Sequence, residues 1–216
     1  MLFHDPAHTS CTPDTGPLTK TLKWSYQTGG AISSYYTHIS SPAVVGNRLY
    51  VGSNSRYMYC FDAINGGAPI WTRQLADTVY SSPAVAGGRV YVGTWNGYMY
   101  CLNADNGDSI WRYSSGGMIE MGATVANGRV YFGAWYQNYI WCLDAATGAL
   151  VWRGQPESNF MFTHSMPAVH DSQVFMGASK YMVDPTKFYA FKEYPASPPT
   201  GEIAWRCSLG TGVQHQ

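Results

Sequence analysis

The chain has 216 residues, which is enough for one large domain or two small ones. Lys+Arg 13 balance Asp+Glu 13, and this zero formal net charge argues against binding of nucleic acid or of an anionic membrane surface, because both select a basic excess. Charged residues make up only 12% of the chain, whereas glycine and aromatic residues are abundant. That composition is typical of β-structure with many turns.

Neither a membrane span nor a leader is predicted. No stretch approaches the roughly 18 consecutive apolar residues of a transmembrane helix. Residues 1–20 lack a basic start followed by an apolar run, so no signal peptide is expected in this chain. We therefore treat residues 1–21 as an N-terminal extension and residues 22–216 as the folded part.

The chain contains an internal repeat. Each copy has a valine near its start and a tryptophan near its end. The valines are Val44, Val85, Val125 and Val169, and the tryptophans are Trp71, Trp111, Trp152 and Trp205. Successive valines are 41, 40 and 44 residues apart. A repeat of this length indicates one supersecondary unit per copy.

Each copy predicts four short strands, A to D, joined by tight turns. In the second copy strand B is Arg-Val-Tyr-Val-Gly, strand C is Tyr-Met-Tyr-Cys-Leu, and strand D ends in the tryptophan. Short connections favour an antiparallel meander, so the repeat predicts an all-β fold, a β-propeller of four-stranded blades. The predicted blades are 41–72, 82–113, 122–153 and 166–206. A parallel β-solenoid is the alternative, but its coils are usually shorter and lack three tight turns per unit.

The segments that end in these tryptophans resemble a known family. Residues 101–111 (CLNADNGDSIW) and 142–152 (CLDAATGALVW) are similar to the tryptophan-docking motif of propellers of the pyrroloquinoline-quinone (PQQ) type. The first copy matches with one extra residue and the fourth with a longer insertion. The resemblance covers about residues 22–207 and implies that each indole packs between neighbouring blades near the motif glycine. The family includes quinoprotein dehydrogenases and cofactor-free scaffold proteins, so it does not decide the function.

The ends of the chain predict an incomplete ring. Residues 22–30 resemble a strand D with no blade before it, and residues 207–216 resemble the approach to a strand A. Rings of the PQQ type usually have seven or eight blades. Four blades are therefore expected to be half of an eight-bladed ring that a homodimer closes, or part of a longer propeller.

A meander places the D–A and B–C connections on one face of the disc, which we call the loop face. These connections vary between copies, and variable loops on a rigid frame are where binding residues collect. The D–A loops are 27–39, 74–80, 114–120 and 154–164, and the B–C loops are 53–57, 94–98, 134–139 and 178–187. The binding candidates on this face are His38, Tyr80, Trp95, Glu120, Trp135, Tyr136 and His164.

Two groups stand out among these candidates. Glu120 and His164 precede a strand A, so they are expected at the mouth of the central channel as a polar site or as solvated rim residues. Trp95 and Trp135 share one position in adjacent copies. They predict an aromatic platform for a sugar, a quinone or a partner protein, or rings that pack over a loop.

The cysteines are predicted to be structural. Cys60, Cys101 and Cys142 share one strand-C position. Stacked sheets lie about 10 Å apart, whereas a disulfide needs Cα atoms within about 7 Å. We therefore expect three buried thiols. Cys11 and Cys207 are left as a candidate pair between the ends of the chain.

These patterns favour a non-catalytic binding or scaffold module without a cofactor, which presents its loop face to a protein or polysaccharide outside the cytoplasm. The enzymes of the resembled family use PQQ between an indole and a disulfide of adjacent cysteines, with calcium and an aspartate base. This chain has no adjacent cysteine pair, and Asp62, Asp105 and Asp144 fall in turns. A fragment of a PQQ- and calcium-dependent alcohol or sugar dehydrogenase is the alternative, and a self-associating structural repeat is a third possibility.

Overall fold

The computed structural model describes residues 21–32, 40–156, 162, 165–180, 183–194 and 200–209. These residues form 16 β-strands in four sheets of four strands. Every pair of neighbouring strands within a sheet is antiparallel, and the order of strands in space follows their order in the chain. The chain is thus an all-β propeller of four blades, and the solenoid alternative is wrong. In this part of the chain no helix is long and apolar enough to span a membrane.

The strands of the four blades have the following bounds. The first blade contains β1 (Ala43–Val45), β2 (Arg48–Gly52), β3 (Tyr57–Asp62) and β4 (Trp71–Gln74). The second contains β5 (Ala84–Ala86), β6 (Arg89–Gly93), β7 (Tyr98–Asn103) and β8 (Ser109–Ser114). The third contains β9 (Thr124–Ala126), β10 (Arg129–Gly133), β11 (Ile140–Asp144) and β12 (Leu150–Gly154). The fourth contains β13 (Ala168–His170), β14 (Gln173–Lys180), β15 (Val183–Lys192) and β16 (Ile203–Leu209).

The blades pack face to face, with strand A of each blade on the inside. The strands β1, β5, β9 and β13 contact one another in that order. Near the axis, the Ser40 hydroxyl donates to the carbonyl of Ser81 over 3.1 Å. Because the middle strands have a blade on either side, Val90, Tyr91 and Val92 are at most 2% exposed. Their uninterrupted hydrophobic run is explained by burial on both faces.

The tryptophan of each strand D contacts the following blade. In the first blade, Trp71 Nε1 donates to the carbonyl of Ala104 over 3.0 Å, and its ring lies over Gly107. Trp111 and Trp152 make the same kind of contact with Ala145 and Glu193. The contact therefore recurs at all three interfaces between the four blades.

Residues 21–32 cover the outer face of the first blade. Trp24 Nε1 donates to the carbonyl of Ala63 over 3.3 Å, and the ring of Trp24 lies over Gly66. The ring also packs against Phe61, with the two centroids 5.8 Å apart. The segment predicted to resemble a strand D thus places its tryptophan as a strand D does, although it is not a strand of a sheet.

Three details of the strand predictions are wrong. Strand D does not end at its tryptophan, because β4 begins at Trp71 and continues through polar residues to Gln74. The loop predicted at 178–187 is instead the end of a long hairpin, in which Lys180 pairs with Val183. Cys207 does not lead into a strand A, because it lies within β16 opposite Phe188. Its proposed partner Cys11 lies outside the described residues.

Trp205 differs from the other strand-D tryptophans because no described residue of a further blade covers it. Its indole is 43% exposed and packs on Phe175 and Phe188 of its own blade. Its Nε1 donates to Oε1 of Gln173 over 3.0 Å. The N–H group of this indole therefore has its hydrogen-bond acceptor within the fourth blade.

Candidate functional site

Each of the three D–A loops between blades places one buried apolar side chain against the blade before it. These side chains are Val79, Ile119 and Phe162, and each packs on the glycine that ends strand B of the preceding blade. At Gly93 an added Cβ would lie 2.2 Å from Cγ2 of Ile119, so the close approach requires glycine at this position. These three side chains are consequently anchored to the blades.

Backbone hydrogen bonds join the two D–A loops between the first three blades to the B–C loops of the blades on either side. In the loop between the first and second blades, the Val79 amide donates to the carbonyl of Ser53 over 3.2 Å. The carbonyl of Thr78 accepts from the Trp95 amide over 2.9 Å. Trp135 repeats the second bond by donating to the carbonyl of Met118 over 2.8 Å. The prediction that these two sets of loops share one face is confirmed.

In the second blade the loop face carries a pair of aromatic rings. Tyr80 and Trp95 meet edge to face, with their centroids 5.3 Å apart. Both side chains are partly exposed. Two rigid rings in this arrangement present apolar area that loses little conformational entropy when a ligand binds.

In the third blade the equivalent positions hold a carboxyl group and an indole. Glu120 follows the buried Ile119 as Tyr80 follows Val79, and its carboxyl group interacts with the indole of Trp135, which lowers the pKa of that carboxyl group. The ring of Trp135 meets Tyr136 edge to face at 5.5 Å between centroids. Tyr136 is 61% exposed, so it extends the aromatic surface toward solvent.

The backbone of this third loop is strained. Tyr136 and Asn138 adopt positive φ angles of 63° and 51°, a conformation that costs a non-glycine residue free energy. An aromatic residue held at positive φ on an exposed loop tip is uncommon. The strain therefore marks Tyr136 as a residue whose placement needs a reason other than stability.

Glu120 is not a solvated rim carboxylate. Its residue is only 4% exposed, and burial raises the pKa of its carboxyl group to about 7, an effect that the nearby indole of Trp135 partly offsets. The carboxyl group therefore exchanges its proton near neutral pH. The buried carboxyl group contacts Trp135, and it does not form an anionic site that is open to solvent.

The raised pKa of Glu120 predicts a pH dependence of stability. Between its ordinary pKa of about 4.5 and its folded pKa of about 7, the folded protein holds a proton that the unfolded chain releases. The free energy of unfolding should therefore fall by roughly 3 kcal/mol as pH rises through this window. Denaturant titrations from pH 4 to 8 on the wild type and on Glu120→Gln would measure it. Equal slopes in the two proteins would contradict the assignment, because their histidines are the same.

The structure places five of the seven candidates and brings all five into contact, because Tyr136 packs on Trp135. Tyr80 meets Trp95, and Glu120 meets Trp135, while His38 and His164 lie outside the described residues. Sequence analysis missed Met118, which accepts the hydrogen bond that orients Trp135. Aligning the D–A loops on their buried anchors would have found it, because Met118 precedes Ile119 as Thr78 precedes Val79.

The described residues show no cluster of acidic, histidine or cysteine side chains for a metal ion. None of them form a group of three or more His, Cys, Asp or Glu side chains that could hold a metal ion. The Oδ1 atoms of Asp62 and Asp144 accept hydrogen bonds from the backbone of their own turns. Those oxygens therefore stabilise the turns in which the two aspartates lie.

The three cysteines of the strand-C column do not supply a disulfide or a nucleophile. Cys60, Cys101 and Cys142 are free and buried, which confirms the prediction of structural thiols. Burial raises the pKa of Cys101 and of Cys142 to about 11, so both are protonated at neutral pH.

Comparison with solved structures agrees with this geometry. A BamB from Moraxella catarrhalis matches at 21% identity and a TM-score of 0.54, with 75% of this chain and 58% of that chain covered. A quinohemoprotein alcohol dehydrogenase from Pseudomonas putida HK5 matches at 18% identity and 0.62, with 77% and 33% covered. A europium-containing methanol dehydrogenase matches at 17% identity and 0.68, with 86% and 43% covered. These likenesses show the fold, and the chain spans less than two thirds of each matched chain.

The repeat, the blades and these likenesses define a PQQ-like β-propeller. A family model described as outer membrane protein assembly factor BamB matches residues 20–117 and 58–211. The chain belongs to this family of PQQ-like repeat proteins, which confirms the resemblance seen in its tryptophan motifs. No curated protein matches the chain.

Proposed function

We propose that the chain is a non-catalytic propeller module that binds a partner protein through its loop face. The observation that carries the proposal is the row of partly exposed aromatic side chains on anchored loops, Trp95, Trp135 and Tyr136. Tryptophan and tyrosine are the residues that most often dominate the binding energy of protein interfaces. Polysaccharide is the second partner class that such a platform suits.

The charge of this surface favours a protein partner. In the described D–A and B–C loops of the second and third blades, the ionisable acids are Asp77 and the buried Glu120, and no Lys or Arg is present. The cores of protein interfaces are depleted in charge and enriched in aromatic residues. Binding should therefore depend little on salt concentration.

The family description supports the role and the location. It names an assembly factor for outer membrane proteins, which is a protein that acts on other proteins. By analogy with that assembly factor, we propose that this chain acts outside the cytoplasm.

Site-specific photocrosslinking tests the partner class. A photoreactive phenylalanine analogue at Tyr136 should crosslink to a protein in the native host, and the same group at Tyr194 should not. Tyr194 is a matched control because it is 54% exposed and lies on the opposite set of turns. For the protein so identified, Trp135→Ala should weaken binding at least tenfold, whereas Tyr194→Ala should leave it within about twofold. Equal crosslinking at both positions would contradict the proposal, and a glycan retained only by the wild-type loop face would reassign the partner.

The alternative is that the chain is a fragment of a PQQ-dependent dehydrogenase. Two dehydrogenases are among the solved structures with a similar fold. A titration with PQQ and calcium, followed by cofactor absorbance and dye reduction, separates the two functions. Tight stoichiometric uptake would overturn the non-catalytic proposal. The pKa of about 11 of Cys101 and Cys142, and the turn contacts of Asp144, support the opposite outcome.

A homodimer that closes an eight-bladed ring would need a position on the first blade that Trp24 already occupies. Trp205 of a second copy would have to dock where Trp24 lies on Gly66 of the first blade. Closure by this route requires that residues 21–32 leave their place. The native mass in dilute solution tests the closed ring, which requires twice the mass of the chain.

A further inference from the structure

The three interfaces between blades repeat one polar arrangement, on the face opposite the loop face. Strand B of each of the first three blades begins with an arginine followed two positions later by a tyrosine. These pairs are Arg48 and Tyr50, Arg89 and Tyr91, and Arg129 and Tyr131. Each pair reaches the C–D turn of the following blade. The two turn residues that each pair contacts differ between the three interfaces.

At the first interface an acidic side chain neutralises the arginine. Arg48 donates to the carbonyl of Ala104 over 3.0 Å and lies 3.3 Å from a carboxylate oxygen of Asp105. Tyr50 donates to the same carbonyl over 3.2 Å. The turn therefore supplies both a backbone acceptor and a counter-charge.

At the third interface the turn supplies an acid and an aromatic ring. Glu193 is 1% exposed, and its carboxylate accepts from Tyr131 over 2.9 Å and from Asn127 over 2.8 Å. The ring of Tyr194 lies 4.4 Å from the guanidinium of Arg129. Here too the space between the blades is filled by side chains of the following blade.

At the second interface the same two positions hold alanines. Arg89 and Tyr91 both donate to the carbonyl of Ala145 over 3.1 Å, as in the first interface. Ala146 stands where Asp105 stands in the preceding interface, so it offers no counter-charge. Among the residues that the structure describes, no ion pair involves Arg89.

The two small side chains leave a groove of about 470 Å³ between the second and third blades. Its lining includes Arg89, Tyr91, Asn127, Ala145 and Ala146. It also includes Asp144, whose Oδ1 is engaged by two amides and a hydroxyl of its own turn. The groove thus presents a partly exposed guanidinium, whereas each counterpart contacts an acidic or aromatic side chain of the next blade.

We propose that this groove binds a carboxylate, and that its occupant is the acidic side chain of a partner polypeptide. The occupant is argued from the molecule itself, because the position of Ala146 holds Asp105 at the first interface, where the carboxylate lies 3.3 Å from Arg48. Asp105 reaches Arg48 from a chain turn, and we therefore take a polypeptide as the source of the carboxylate. The site is on the opposite face from the aromatic platform, so it stands or fails independently of the proposed function.

The test is a titration of the isotope-labelled chain followed by nuclear magnetic resonance. The probe is the capped peptide acetyl-Ala-Asp-Ala-amide, with acetyl-Ala-Asn-Ala-amide as the neutral control. We expect saturable shifts of the Arg89 Nε–Hε signal and of the Ala145 and Ala146 amides, with a dissociation constant in the millimolar range that one charge-assisted contact provides (roughly 1–10 mM). Equal shifts with the neutral peptide, or no saturation by about 50 mM, would overturn the proposal.

Two variants make the assignment specific. Ala146→Asp places the acid of the first interface into the groove, at an exposed position, and should weaken binding of the peptide at least tenfold. Asp105→Ala removes an exposed ion pair and should create a second set of saturable shifts at Arg48. Binding that persists unchanged in Ala146→Asp would refute the site.

A third probe distinguishes the source of the carboxylate. Sodium glucuronate carries the same charged group on a sugar. If glucuronate gives the saturable shifts and the aspartyl peptide does not, the assignment to a polypeptide is wrong. If the peptide gives them alone, the assignment stands.

Discussion

Replacing Trp152 by alanine should lower the free energy of unfolding by about 3–5 kcal/mol, whereas the same change at Trp205 should lower it by less than about 1 kcal/mol. Trp152 is fully buried between the third and fourth blades, where its ring stacks on Phe191 at 6.1 Å and its Nε1 donates to Glu193. Trp205 occupies the same position of the repeat but is 43% exposed. The difference between the two variants therefore measures how much stability is gained when a further blade covers one indole.

Denaturant titration followed by circular dichroism would measure both losses. The change at Trp205 is the matched control because residue type, strand and replacement are the same. Similar losses at the two positions would mean that another surface covers Trp205 in solution. A small loss at Trp152 would mean that the interface between the third and fourth blades contributes little to stability.

Replacing Gly148 by alanine should cost about 3 kcal/mol or more, and replacing Gly128 only about 1 kcal/mol. Both glycines have positive φ angles, 74° and 73°, so both changes carry the same backbone penalty. At Gly148 an added Cβ would also lie 2.6 Å from Cδ2 of Trp111, while at Gly128 it would meet no atom within 4 Å. The overlap with a large indole adds the cost of overpacking.

The difference between the two glycine variants measures how closely the indole approaches the next blade. Thermal and denaturant unfolding of both variants would provide it. Equal destabilisation would show that Trp111 can move away from the glycine without loss, and that the close contact is not required for the blades to stack.

The architecture could be predicted from the sequence because each blade repeats its own signals. The spacing of Val44, Val85 and Val125 and the tryptophans that end each copy give four blades in order. Strand D was predicted too short because Thr72 and Arg73 after Trp71 are polar, as expected for an outer strand that faces water. The long hairpin of the fourth blade escaped prediction because Lys180 and Val183 pair across a segment with no repeat counterpart.

The candidate site could be predicted only in part. Topology alone places Trp95 and Trp135 on the same face as Tyr80 and Glu120, and the structure confirms it. The burial of Glu120 against Trp135 could not be predicted, because it depends on the anchor Ile119 turning the loop inward. The groove beside Arg89 also escaped, although the replacement of an aspartate by an alanine between copies was visible in the aligned turns.

The loops that join the blades have a consequence for how the module responds to a partner. The segment around Val79 bonds to the first blade through Ser53 and to the second through Trp95. A protein that orders this segment stabilises two sheets at once, because neither can open without breaking bonds to it. Occupancy of the loop face should therefore increase the cooperativity of unfolding, so that hydrogen exchange slows together in the strands of adjacent blades.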